Sequence, residues 1–335
     1  MRHFHADMVE SLQPTAYAIS FLMYALASIT TGLRIYSRKC IIESFGWDDW
    51  WMISVLVYNT GQQALFCMSL YYGGGLPVDT IAQKDIATIL KLLFAAEIFY
   101  IWMHFAIKTG FLLFYLRLVN KPSFLYSVYA TMLLNFLVAV ALWLLYCLRC
   151  RPLPAFWNPG AYRDATCVET AVTYYLPAAL NILTDIIILV LPIPPLWRMQ
   201  APVCRRIEVI AVVTFGGAAV IVACLRVIVL HEFVVNPDFT YILGSMVIVS
   251  AVELNVAIMA ANAPSLKAVW LKHSSGSLDG YLASTRLSSV QRSSLAVPVS
   301  SVSRRRAVSA SAYDDSLPES SSMRNLVSRT ESRED

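Results

Sequence analysis

Six ionisable side chains stand inside otherwise apolar stretches of this chain: Glu97, His104, Lys108, Asp185, Arg226 and Glu253. Asn181 and Asn255 accompany them. At helical spacing, the steps of seven and four between Glu97, His104 and Lys108 put all three on one face, and Asn181 and Asp185 are also one turn apart. Groups of this kind can do three things. They can pair across helices as polar glue. They can line a ligand pocket or ion site, with Glu97, Asp185, Arg226 and Glu253 as the first candidates, or they can pass protons. Spacing alone does not choose among these. Enzymatic templates are missing from the sequence: there is no Gly-x-Ser-x-Gly elbow, no His-Glu-x-x-His zinc site and no Gly-x-x-x-x-Gly-Lys-Ser/Thr loop. Gly73-Gly74-Gly75 reads as a flexible turn rather than a phosphate cradle. No catalytic residue, cofactor or metal is expected.

The elements that must carry these residues follow from composition. The chain has 335 residues, of which 57% are hydrophobic and 14% charged. Soluble domains carry about 25% charge, so a cytosolic enzyme, a disordered protein and a nucleic-acid binder are all disfavoured. A helix crosses a bilayer with roughly 20 mostly apolar residues. Seven such stretches are legible: 11–33, 50–78 (its helix ending near Tyr72), 86–116, 122–148, 170–197, 209–230 and 239–266. The third is the most polar. Runs such as Val209 to Val213 are continuously apolar, which disfavours the alternation of a barrel strand. The predicted fold is an all-α membrane protein, a seven-transmembrane helical bundle with a disordered C-terminal tail. Asp185 and Glu253 are expected near the midplane, Lys108 deeper toward the cytoplasm and Arg226 near the outer surface.

Positive charge collects on the cytoplasmic side. With the N-terminus outside, the inner segments hold ten Lys and Arg residues and the outer segments six. This orientation places Cys150 and Cys167 outside, where an oxidising compartment permits a disulfide; Cys147 sits close enough to compete. The remaining cysteines show no metal-ligand spacing. Trp47, Trp50 and Trp51 suit a membrane interface, and Asp48 and Asp49 suit capping of the second span. In the tail, 19 of the 62 residues from Ser274 to Asp335 are serine. Such a segment buries too little apolar surface to fold. Arg304-Arg305-Arg306 precedes Ser309 at a spacing that basophilic kinases use, so Ser309 is a candidate phosphorylation site. The alternative for the arginines is contact with anionic lipid.

Together these residues resemble the fungal rhodopsin-domain family of seven-span membrane proteins. The likeness is carried by Ser44-Phe45-Gly46-Trp47-Asp48-Asp49 and by Lys91 through Ile98 with Lys108 and Phe114-Tyr115-Leu116-Arg117. It continues in Cys150-Arg151-Pro152 with Phe156-Trp157-Asn158-Pro159 and Cys167. Ala179 through Asp185, Leu191 through Trp197, and Glu253-Leu254-Asn255 with Pro264 complete it. The resemblance covers about residues 15 to 270, and Asn158 stands where the family more often has Asp. It implies a receptor-like membrane protein, discussed alongside fungal G-protein-coupled receptors. Retinal proteins hold their chromophore on a lysine of the last span; here 241–264 contains none, and Lys267 lies beyond.

The resulting layout has a short extracellular N-terminus at 1–14, a seven-transmembrane domain at 15–267 and a cytoplasmic tail at 268–335. The expected function is sensing of an extracellular small-molecule ligand at the plasma membrane, with a G protein as the possible cytoplasmic partner and the lipid bilayer as the certain one. Transport of a small metabolite or ion is the alternative; the absence of an internal repeat weighs against it.

Overall fold

The computed structural model describes residues 11–118, 122–194, 203–236 and 238–274. It contains seven long helices: α1 (Gln13–Tyr36), α2 (Trp47–Tyr71), α3 (Gln83–Leu118), α4 (Pro122–Cys147), α5 (Thr170–Val190), α6 (Val203–Val235) and α7 (Phe239–Ser274). Their order and number match the seven spans read from the sequence. A π-helical turn, Ser37–Ile41, prolongs α1. Between α4 and α5 two short strands, β1 (Cys150–Arg151) and β2 (Thr166–Cys167), pair antiparallel with Cys150 opposite Cys167. Those two cysteines form the expected disulfide, and Cys147 stays free.

Six of the helices are long and apolar enough to cross a membrane; α2 is the one that falls short. The expectation that the third span is the least apolar is therefore corrected. The physical reason lies in where α2 puts its polar groups. Asn59, Gln62 and Gln63 are all buried, which lowers the average apolarity of α2 while keeping these three amides away from lipid. Val57, Tyr58 and Met68 of the same helix point outward.

The rest of the bundle follows the same inside-out rule. Leu22, Ile29, Leu133, Leu137, Leu183 and Ile228 are exposed, as lipid-facing residues should be. Helical hydrogen bonding keeps backbone polar groups internal, as a bilayer requires, with Pro177 in α5 and Pro264 in α7 each lacking an N–H to give. Helix α7 is the most buried of the membrane-crossing helices. It packs against α1 along small residues, Ala16, Ser20, Ala27 and Thr31, all fully buried. Small side chains let helices approach closely, and hydrogen bonds then lock them: the Asn262 amide donates to Thr31 Oγ1 at 2.9 Å.

One end of the bundle is closed by the glycine turn after α2. Gly73 and Gly75 adopt φ of 119° and 88°, a region open to glycine. The Gly75 N–H donates to Thr240 O at 2.7 Å. A Cβ on Gly244 would lie 2.7 Å from Gly75 Cα, so Gly244 is needed for this approach, and Gly75 for its positive φ. Helix α5 ends at Val190, just before Pro192, as its prolines require.

Candidate functional site

The polar residues inside the bundle form three layers between the end that carries the disulfide (the hairpin end) and the end that carries the tail. In the first layer, α3 supplies Glu97 and the α4–β1 junction supplies Arg149. Arg149 Nη1 donates to Glu97 Oε2 at 2.9 Å, and Nη2 reaches the Tyr174 hydroxyl at 3.4 Å. Its guanidinium also lies 3.9 Å from the centroid of the Phe156 ring, a favourable cation–π geometry. Burial alone would lower the basicity of Arg149, but the Glu97 carboxylate together with Tyr174 and Tyr146 outweighs it and holds the cation above its ordinary value. The hairpin thus sends one arginine down onto a buried acid.

Beneath this pair lies a cavity of about 60 Å³, bounded by Gln62, Glu97, Tyr100, Arg226, Ser69 and Ser250 among others. Its volume suffices for several waters. Four buried polar atoms at its wall have no partner among the described residues: Gln62 Nε2 and Oε1, Glu97 Oε1 and Arg226 Nε.

The second layer is centred on Glu253 of α7. Tyr100 donates its hydroxyl to Glu253 Oε2 at 2.9 Å, and Arg226 Nη1 approaches the same oxygen at 3.5 Å. The Arg226 guanidinium stacks over the Tyr100 ring, 3.8 Å from its centroid. His104 Nε2 lies 3.6 Å from Glu253 Oε1, outside hydrogen-bonding reach. One turn on, Lys108 Nζ pairs with Asp185 at 3.2 Å and donates to Asn181 O at 2.9 Å and to Thr184 Oγ1 at 2.6 Å. His104, Lys108, Asp185 and Glu253 share a second, smaller cavity of about 40 Å³.

The third layer is an ion cluster at the tail end. Arg34 binds Asp48 at 2.8 Å and Asp49 at 3.0 Å, and its Nη1 donates to Ala261 O at 3.0 Å. Arg117 of α3 meets Asp48 at 2.9 Å. Arg38 approaches Asp49 at 3.8 Å and donates to Ser265 Oγ at 3.2 Å. The cluster ties together α1, α2, α3 and α7. Asp49 is also the expected cap, accepting the Gly46 N–H at 3.0 Å.

The structure thus gathers the sequence-derived residues into pairs rather than one group. Glu97 pairs with Arg149, Arg226 with Glu253, and Lys108 with Asp185 and Asn181. Asn255 lies apart, accepting from Asn59 Nδ2 at 2.9 Å on the α2 side. Two depth expectations are corrected. Arg226 does not end near a surface: its long side chain turns inward to Glu253. Lys108 is not deeper than Asp185: the two meet directly. Ser309 and Arg304 to Arg306 lie outside the described residues.

Sequence reasoning missed Gln62, Tyr100 and Arg149 as members of the polar interior, and it took Arg34, Arg38 and Arg117 as positive charge at the span ends and as motif positions, not as ion-pair partners. A signal for the last three existed. Three basic residues and two acids all fall at span ends that a seven-helix path brings to one side. Nothing in the sequence marked Arg149, because the hairpin alone turns it inward.

Seven long helices with a buried polar axis, six of them apolar enough to span a bilayer, define a multi-pass membrane protein. The fungal rhodopsin domain model matches residues 33–272, most of the chain, and the protein belongs to that family. Among curated relatives, it is 24% identical over 274 residues to the "Polyenoic acids biosynthesis gene cluster protein Ba17b" of Metarhizium anisopliae, covering 76% of this chain and 74% of that one. It is 25% identical over 262 residues to "Receptor GIN3" of Arthrobotrys oligospora, covering 73% of this chain and 59% of the relative. To a "SAT4 family membrane protein" of Emericella nidulans it is 23% identical over 181 residues, 53% of this chain and 44% of the other. The chain therefore spans less than two thirds of the latter two. No solved structure matches.

Proposed function

We propose that this protein is a receptor-like membrane protein that binds a small molecule from the hairpin side and reports the bound state at the tail side. The observation that carries this reading is the cavity beneath Arg149 and Glu97, with its four unpartnered buried polar atoms. Buried polar groups cost about 1–3 kcal/mol each when left unmet, so a site that keeps four together is built to meet something. The residues assigned to sensing are Glu97, Arg226 and Glu253, with His104, Lys108, Asn181 and Asp185 as the layer that relays the change and Asn255 as support for α2 against α7. The tail-end ion cluster is the element that would rearrange. The hairpin faces the exterior of the plasma membrane in this reading, which the disulfide supports. The tail, 268–335, faces the cytoplasm, offers Ser309 to a kinase, and lies near a G-protein partner. The likeness to a protein named as a receptor supports the same direction.

Proximity labelling from the C-terminus in the native host tests it. Recovery of a G-protein α subunit, lost when Arg205→Ala/Arg206→Ala removes two of the ten inner-segment basic residues, is the expected result. The second reading, transport of a small metabolite or ion, is favoured by one observation: Glu253 bonds residues of the upper cavity and lines the lower one. Recovery of only trafficking proteins, together with solute flux in liposomes, would replace the receptor reading with this one.

A further inference from the structure

The chemistry of the larger cavity specifies more than the presence of a ligand. The charges at its wall are already balanced: Glu97 has Arg149 at 2.9 Å and Arg226 has Glu253 at 3.5 Å. A ligand with net charge would have to be desolvated with no free counter-ion to receive it, which is costly in a buried site. What is not balanced is hydrogen bonding. Gln62, 1% exposed, brings an amide whose donor and acceptor both lack partners among the described residues. One further acceptor, Glu97 Oε1, and one further donor, Arg226 Nε, are in the same condition. A planar amide with both edges open is complementary to a second group that presents a donor beside an acceptor. Apart from the Ser69 and Ser250 hydroxyls, the rest of the wall is apolar or aromatic, including Phe66, Leu93, Phe233 and Met246.

We infer that this cavity is a binding site for a compact, uncharged molecule bearing an amide-type donor–acceptor edge on an apolar body, with Gln62 as the residue that reads the edge. The volume of about 60 Å³ limits the ligand to a small body or to the head of a longer one. The inference deepens the receptor reading, on which its physiological meaning rests; the binding itself is measured without any signalling step.

The test uses the full-length protein in lipid nanodiscs and ligand-observed NMR with three probes small enough for the cavity, each of four heavy atoms. Acetamide carries the donor and acceptor side by side, whereas acetone and dimethyl sulfoxide keep only an acceptor. Saturable binding of acetamide at least fivefold tighter than either comparator is expected, because a site that hydrogen-bonds a group rejects analogues lacking it. In Gln62→Met the preference should vanish, with folding verified by the thermal midpoint. Equal binding of all three probes, a preference that survives in Gln62→Met, or no saturable binding would each overturn the assignment, the last leaving a cavity that holds only water. The three-probe comparison on the wild-type protein stands even if the variant does not fold. Failed probe binding alongside G-protein recovery would sink the site and spare the receptor reading. Selective probe binding without a signalling partner would do the reverse.

Discussion

Lys108 illustrates how a charge is kept inside this bundle. Its ammonium offers three donors, and the structure fills them with Asp185, Asn181 and Thr184. All three acceptors come from two adjacent turns of α5, which is why the steps Asn181, Thr184 and Asp185 sit where they do. A buried pair of this kind adds little net stability, but breaking it from one side exposes the full cost of the remaining charge. Lys108→Met should therefore lower stability by roughly 3 kcal/mol, whereas Lys108→Met/Asp185→Leu should recover most of the loss. Thermal midpoints in nanodiscs measure both. If the double variant lost as much as the sum of the singles, the two groups would not be coupled. Asp185→Asn is the milder probe, since Lys108 keeps Asn181 and Thr184; surface expression should stay near wild type while the response changes.

Between helices, the strongest coupling is the tail-end cluster. Asp49 opens α2 and answers Arg34, Arg38 and the Gly46 N–H at once, with its side chain fully buried. One carboxylate thereby fixes the start of one helix against the end of another. Asp49→Asn removes the charge but keeps the shape, leaving Arg34 with Asp48 and taking from Arg38 its ion pair at 3.8 Å. A loss of about 3 kcal/mol or more is expected. Asp79, exposed in the short turn after the glycine loop, serves as the comparison; Asp79→Asn should move stability by no more than about 0.5 kcal/mol. Equal effects of the two substitutions would remove the clamp from the account. The glycine turn at the opposite end works by contact rather than charge, since Gly75 and Gly244 meet backbone to backbone.

For the whole molecule, the proposed orientation makes a prediction. Part of the basic charge at the span ends is spent inside the protein. Arg34, Arg38 and Arg117 are engaged with Asp48 and Asp49 rather than presented to lipid headgroups. In the proposed orientation the disulfide lies in an oxidising compartment. Glycosylation can decide. Asp164→Asn creates an acceptor site with Thr166 in the hairpin, and Val327→Thr creates one with Asn325 in the tail. Endoglycosidase-sensitive modification of the hairpin variant alone is expected. Modification of the tail variant alone would invert the molecule and with it the direction of sensing.

Apolar runs of span length determined the membrane class, the number of helices and their order, because a bilayer leaves a chain few ways to hide its backbone. The family motifs were equally legible, as was the disulfide once the two cysteines fell in one connection. Which charges meet was not legible. Period and spacing place Glu97 and Lys108 on one face of α3, but their partners come from Arg149 in the hairpin and Asp185 on α5. Arg226 shows the limit clearly: its position along the span suggested an outer surface, and a long side chain over the Tyr100 ring carried its charge to Glu253 instead. Pairing depends on helix rotation and side-chain reach, which are set by packing against neighbours. Only the tertiary structure could show that the hairpin caps a charge-balanced cavity and that the basic span ends close into a clamp.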